Sequence, residues 1–265
     1  MRALALGLVF CGLGLAGGCR TPLPETWLGE GDPRPQQLLE SLSAGREAVP
    51  ALRARARVAI DAPDLKLSRP QRLAVARPGR LRVEVLGLFG QLAAVLVADR
   101  GRYQLYEAGQ SEIQEGRVSP SLLWRVARVD LEPGEAVDLL LGSPRPGPGL
   151  GVVGARGLGN GGIAFDRVDG EGRLRERYVF DAQGRLAETE RVNRAGERIW
   201  GARFGAYRAV PLAGGGSREF AFQVELDFPR VEGKAKLDFQ QVDLLAELPD
   251  GLFTLAPAET KPGEP

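Results

Sequence analysis

The 265 residues predict a mainly β protein of the α+β class, antiparallel strands carrying a helical cap. Three observations predict it. Apolar and charged residues alternate from Leu52 to Asp61 and again from Phe220 to Phe228, the period-2 pattern of half-buried strands. Between residues 119 and 142 the pattern turns helical, with prolines at two helix starts. Beyond it, glycine-ended polar turns begin at Asp169, Asp181 and Asn193, 12 residues apart each time.

The first residues, MRALALGLVFCGLGLAGGC, have the layout of an export signal: Arg2, an apolar run from Ala3 to Ala16, then Gly17, Gly18 and Cys19. The run is too short for a transmembrane helix, which needs about 20 apolar residues. Its end, Leu15-Ala16-Gly17-Gly18-Cys19, resembles a bacterial lipobox, although the usual leucine three places before the cysteine is Ala16, with Leu15 one place earlier. That resemblance implies cleavage before Cys19 and lipidation of Cys19. A plain signal peptide with a chance cysteine is the other reading. Cys11 lies in the apolar run and would be removed, so the mature chain could form no internal disulfide. Arg20 stands where the common inner-membrane retention signal has an aspartate, which by the same resemblance implies the outer membrane, with the body facing the periplasm. The expected pieces are a signal peptide over 1–18, a lipidated Cys and Pro-rich tether over 19–36, a body over 37–256 and a tail over 257–265. A polyproline-like tether of this length reaches about 50 Å.

The body begins with an amphipathic helix expected over Gln36 to Val49, with Leu38, Leu39 and Leu42 on one face. Strands follow. LRARARVAID puts Leu52, Ala54, Ala56, Val58 and Ile60 on one face and three arginines on the other. RLRVEVL repeats the pattern with Leu81, Val83 and Val85. QLAAVLVAD is apolar on both faces, so both should be covered. Between the last two, Gly87 and Gly90 bracket Leu88 and Phe89 at a hairpin turn, where polar residues are usual. RYQLYEA is a further strand. In SPSLLWRVAR, Ser119 is the expected N-cap and Pro120 the first helical position, with Leu122, Leu123 and Val126 as the apolar stripe. A second helix starts at Pro133 and stops at Gly142, before a loop rich in proline and glycine. The turns at 169, 181 and 193 separate strands of about eight residues; the alternative, a calcium-binding or Tyr-Asp toxin-type repeat, normally runs to many copies. Phe220, Phe222, Val224, Leu226 and Phe228 share the inner face of a late strand. About five strands before the helices and about six after make roughly 11, expected in one continuous sheet with the helices over its concave side.

Composition narrows the function. Lys plus Arg is 35 and Asp plus Glu 34, so no long-range field draws nucleic acid. The absence of histidine removes His-ligated zinc, Ser-His-Asp triads and Cys-His pairs. GLGNGG lies among turn signals, without the strand-to-helix setting of a nucleotide loop. Glu188 and Glu190 sit on a strand among arginines, where ion pairing is the default. An enzyme is the least favoured class, and no catalytic residue, metal or cofactor is expected.

The order of elements resembles the LolA/LolB family and its LolB-like lipoproteins over roughly residues 38 to 255. The matching stretches are RVEVLGLFGQLAAVLVADRGRYQLYE, SPSLLWRVARVDLEPGEAVDLLLGSP and RYVFDAQGRLAETE. The resemblance implies an incomplete antiparallel β-barrel capped by short helices, enclosing an apolar cavity for the acyl chains of a lipoprotein. Its implied partners are lipoprotein acyl chains, a periplasmic LolA-like carrier and outer-membrane lipid, with the protein a monomer. Its implied cavity lining is Val83, Val85, Leu122, Leu123, Val126, Phe222, Val224 and Leu226. In that family a protruding loop carries an exposed leucine that helps release cargo into the bilayer; Phe89, with Leu88 beside it, is the match. Packing of both residues onto the barrel rim is the competing reading. A structural outer-membrane lipoprotein with a filled cavity is the competing function.

Overall fold

The computed structural model describes residues 25–212 and 214–255. Cys19, the export segment and the 257–265 tail lie outside the described residues. The chain runs through β1 (Thr26–Trp27), α1 (Arg34–Ala48), β2 (Ala51–Ala62), β3 (Leu65–Ala76), β4 (Arg80–Leu86), β5 (Leu92–Asp99), β6 (Arg102–Glu107) and β7 (Gln114–Arg117). Helices α2 (Leu122–Ala127) and α3 (Pro133–Leu140) follow. The second run is β8 (Gly151–Gly157), β9 (Ile163–Val168), β10 (Leu174–Phe180), β11 (Leu186–Val192), β12 (Arg198–Pro211), β13 (Ser217–Phe228) and β14 (Gly233–Leu245).

All 14 strands form a single open antiparallel sheet in the order β1-β8-β9-β10-β11-β12-β13-β14-β2-β3-β4-β5-β6-β7. The count exceeds the expected 11 or so. The short edge strands β1 and β7 carry little apolar patterning, and β3 is interrupted by Arg69 and Pro70. Pairing of β3 to β4 ends at Gln71 opposite Val85, next to Pro70, which has no N–H to donate. Beyond that point β3 has no β4 partner and pairs only with β2, out to Ala62 opposite Leu65, while β2 stays paired with β14 on its other side. The two meanders join through β14 and β2, with Leu237 opposite Val58 and Leu244 opposite Leu52.

Inward residues from both meanders fall in one core that includes Leu52, Leu96, Phe165, Tyr178, Val224 and Phe239, so the sheet curls around it. A second, smaller core lies on the other face. There Val95 and Val97 of β5 pack with Ala74, Ala76, Leu248 and Phe253. The two-faced apolar pattern of β5 is thus covered on both sides. The expected turns share one geometry. Asp169, Asp181 and Asn193 each accept two backbone N–H bonds through Oδ1, and Gly172, Gly184 and Gly196 close them with positive φ.

The helices differ in detail from the sequence reading. α2 starts at Leu122 with Ser121 at the N-cap position, while the Ser119 carbonyl accepts the Leu122 N–H in a preceding turn. α1 starts at Arg34, and Thr26–Trp27, expected within the tether, pairs with Gly157 and Arg156 of β8. α3 runs from Pro133 and ends before Gly142, whose φ is +66°. A half-buried charge cluster fixes these helices to the sheet. Asp138 of α3 accepts from the Arg77 Nε–H at 2.9 Å and lies 2.9 Å from Arg46 Nη2 of α1. Burial and the neighbouring Arg46 charge lower the Arg77 pKa.

Candidate functional site

Between α2, α3 and the inner face of β2–β6, β13 and β14 lies a cavity of about 460 Å³. This volume is in the range of small-molecule sites. Its walls are mainly aliphatic: Ile60, Leu67, Leu73, Leu81, Val83 and Leu96 are among them. The register explains the lining. Leu73, Val83, Leu96 and Leu105 form one cross-strand row, and Gln71, Val85, Ala94 and Glu107 form the next. Ala94 leaves room in the second row. The β2–β3 extension past Pro70 adds Leu65 and Leu67. Arg125 of α2 also lines the space, its guanidinium 5.8 Å from the Tyr103 ring centroid.

Of the eight residues expected to line a cavity, Val83, Val85, Leu123, Val126 and Leu226 do so. Leu122, Phe222 and Val224 do not. Leu122 and Val224 are fully packed in the core. Phe222 belongs to a separate aromatic packing, edge-on to Phe220 at 6.1 Å, with the Arg208 guanidinium 4.5 Å from its centroid. Shared strand parity placed Phe222 and Val224 on the same face as Leu226, but position along β13 decides which of them meets the void; Leu122, at the start of α2, packs into the core instead.

The cavity occupies only part of the concave side. Under the second meander, Phe165, Tyr178 and Phe180 stack at 5.7–6.2 Å. Beside them Glu176 is buried with its charge fully engaged. It accepts from Arg167 at 2.8 Å, from the Tyr178 hydroxyl at 3.1 Å, from Arg191 at 3.1 Å and from the Gly147 N–H at 2.9 Å. This network holds the 143–150 loop against the sheet. Burial, with the Glu176 charge adding to it, raises the Tyr178 pKa.

The β4–β5 turn projects away from all of this. Leu88 is 77% exposed, Phe89 95% and Leu92 37%. The turn itself is well made. The Gly87 N–H donates to the Gln91 carbonyl at 2.7 Å, and the Phe89 N–H to Gln91 Oε1 at 3.0 Å. Gly90 takes φ +81°. Leu88 and Phe89 therefore do not pack on the rim. Gln71, Leu73 and Leu96, missed in the sequence, belong to the cavity wall; the alternation of Leu65, Leu67, Leu73 and Val75 was the signal for Leu73, and the apolar run of β5 that for Leu96. No group of residues suited to a metal ion occurs among the described residues.

Geometry of this kind, an open antiparallel sheet curled over an apolar space with short helices on the concave side, agrees with the incomplete, helix-capped antiparallel barrel expected from the sequence, with more strands than expected. No protein-family model matches the chain, and neither does any curated protein. Among solved structures, a DUF1329 family protein from Desulfovibrio piger shares the fold, with TM-score 0.52 at 14% identity over 84% of this chain and 98% of that one. A LolA superfamily protein from Nitrosomonas europaea gives TM-score 0.49 at 12% identity, covering 83% of this chain and 97% of the other.

Proposed function

We propose that this protein is an outer-membrane-anchored lipoprotein that binds acyl chains, receives lipoproteins from a periplasmic LolA-like carrier and inserts them into the outer membrane. One observation carries the reading: the same β4–β5 hairpin lines an apolar cavity with Val83, Val85, Ala94 and Leu96 and ends in an exposed apolar tip. The filled-cavity scaffold is the less favoured alternative, since about 460 Å³ is open. Anchoring rests on lipidation of Cys19, and intact mass of the membrane form should show a chain starting at Cys19 plus acyl mass. Binding is tested with a fluorescent fatty acid and the full chain carrying Cys19→Ser. The expected result is saturable binding that Ala94→Trp abolishes, because an indole at Ala94 fills the space between Val85 and Glu107. Absence of binding by the unsubstituted cavity would leave the scaffold reading.

A further inference from the structure

The outer face of β2 carries three exposed arginines in a row, Arg53, Arg55 and Arg57. Neighbouring strands add two more. Arg55 stands directly opposite Arg72 of β3, and Arg82 of β4 lies opposite Ala74, which faces Arg53. Like charges directly opposite on a sheet repel. The nearby acids do not balance the row. Glu84 is shared by Arg72 at 3.6 Å and Arg82 at 2.7 Å, while Arg53, Arg55 and Arg57 stand in no ion pair among the described residues. Asp238, across from Arg57, turns to Lys236 at 3.8 Å and accepts from Gln223 at 3.1 Å. Arg53, Arg55, Arg72 and Arg82 line an open groove of about 260 Å³ on the sheet face away from the acyl cavity. In a chain of 35 basic and 34 acidic residues this is a local concentration of charge, suited to an anion.

The position of the arginines says which anion. Arg72 and Glu84 lie one row from Gln71 and Val85, where β4 leaves β3 for the exposed tip. Leu88 follows Val85 by three residues, about 10 Å of strand. Arg57, opposite Pro70, lies nearer still to the level of the tip. An apolar tip with guanidinium groups set behind it matches the order of a membrane surface, hydrocarbon inside and phosphates outside. Guanidinium also pairs with phosphate through two parallel N–H bonds.

We propose that the outer face around Arg55, Arg57 and Arg72 binds the phosphates of anionic phospholipids, so that the protein docks on a membrane through the apolar tip and these arginines together. This rests on the membrane-active tip of the reading above and adds the class of lipid.

The test is sedimentation with phosphatidylcholine liposomes, with and without phosphatidylglycerol. Every protein is the full chain with Cys19→Ser, so any contribution of the N-terminal segment is common to all arms. Binding should be tighter to the anionic vesicles, and added salt should remove the difference. Arg55→Gln with Arg57→Gln should weaken binding to anionic vesicles about thirtyfold, the worth of two cationic side chains near such a surface, and leave binding to neutral vesicles unchanged. Arg55→Lys with Arg57→Lys should keep most of the preference. Melting temperature should hold in both, since the two side chains are exposed and unpaired. Arg117→Gln with Arg194→Gln removes the same charge from exposed arginines elsewhere and should leave the preference intact. Equal weakening by the two glutamine pairs overturns the proposal. So does binding that depends on Phe89 but is indifferent to lipid charge, which leaves the membrane-active tip standing. Absence of binding to any vesicle would instead bring down the membrane-active tip itself.

Discussion

Phe89 offers its ring to solvent at the end of a turn held by backbone bonds and by the Gln91 side chain, none of which uses that ring. Full burial of such a side chain in an apolar medium gains about 1.5–3 kcal/mol, a gain the folded protein alone leaves unused. Phe89→Glu should therefore change stability by no more than about 0.5 kcal/mol in thermal melting. The same change should sharply lower liposome binding and transfer, because a carboxylate resists the interface. A large fall in melting temperature would show instead that the ring packs in the native protein. The tip was readable from sequence because two glycines bracketed two large apolar residues. Gln71 was not, because a glutamine beside Pro70 carries no periodic signal; only its cross-strand partners show that it faces inward.

The elements are tied by charges that the sequence pattern does not reveal. Asp138 serves Arg46 and Arg77 at once, joining α3, α1 and the end of β3. Asp138→Ala would leave two guanidinium groups side by side with little solvent. Both keep backbone carbonyl acceptors, so removing the shared carboxylate from this partly buried cluster should cost about 2 kcal/mol, read as a lower urea midpoint with an unchanged slope. Alternation alone located β2, β4 and β13, whose inner faces are nearly unbroken. It missed β3, where Arg69 and Gln71 occupy inward positions, and it placed the start of α2 early, since Ser119-Pro120 forms a turn before the helix. The repeated turns were legible in full, because each combines an Asx side chain with a glycine at a fixed offset.

Across the whole molecule, two cores grip opposite faces of β5. The outer one depends on the last described residues. Phe253 is buried there, with the Arg80 guanidinium 4.1 Å from its ring centroid, and the Arg82 guanidinium donates to the Leu252 carbonyl at 3.0 Å. Phe253→Ala should lower stability by about 3 kcal/mol, measurable by chemical denaturation, and should leave acyl binding on the opposite face intact. Sequence alone announced that β5 needed two covers, but not that the second would come from residues about 150 positions later, because side-chain patterning carries no information on which distant segment returns. The ladder between β14 and β2 has a consequence for how the protein comes to be. Its partners lie about 170–190 residues apart, so the middle of the sheet has the highest contact order of any pairing here. Each meander can form from local hairpins as it emerges. The two must then wait, with β2 and β14 as bare edges, until nearly the entire polypeptide is present. Assembly thus ends at the centre of the sheet, and a chain halted short of residue 233 would hold a half-built wall with no space enclosed.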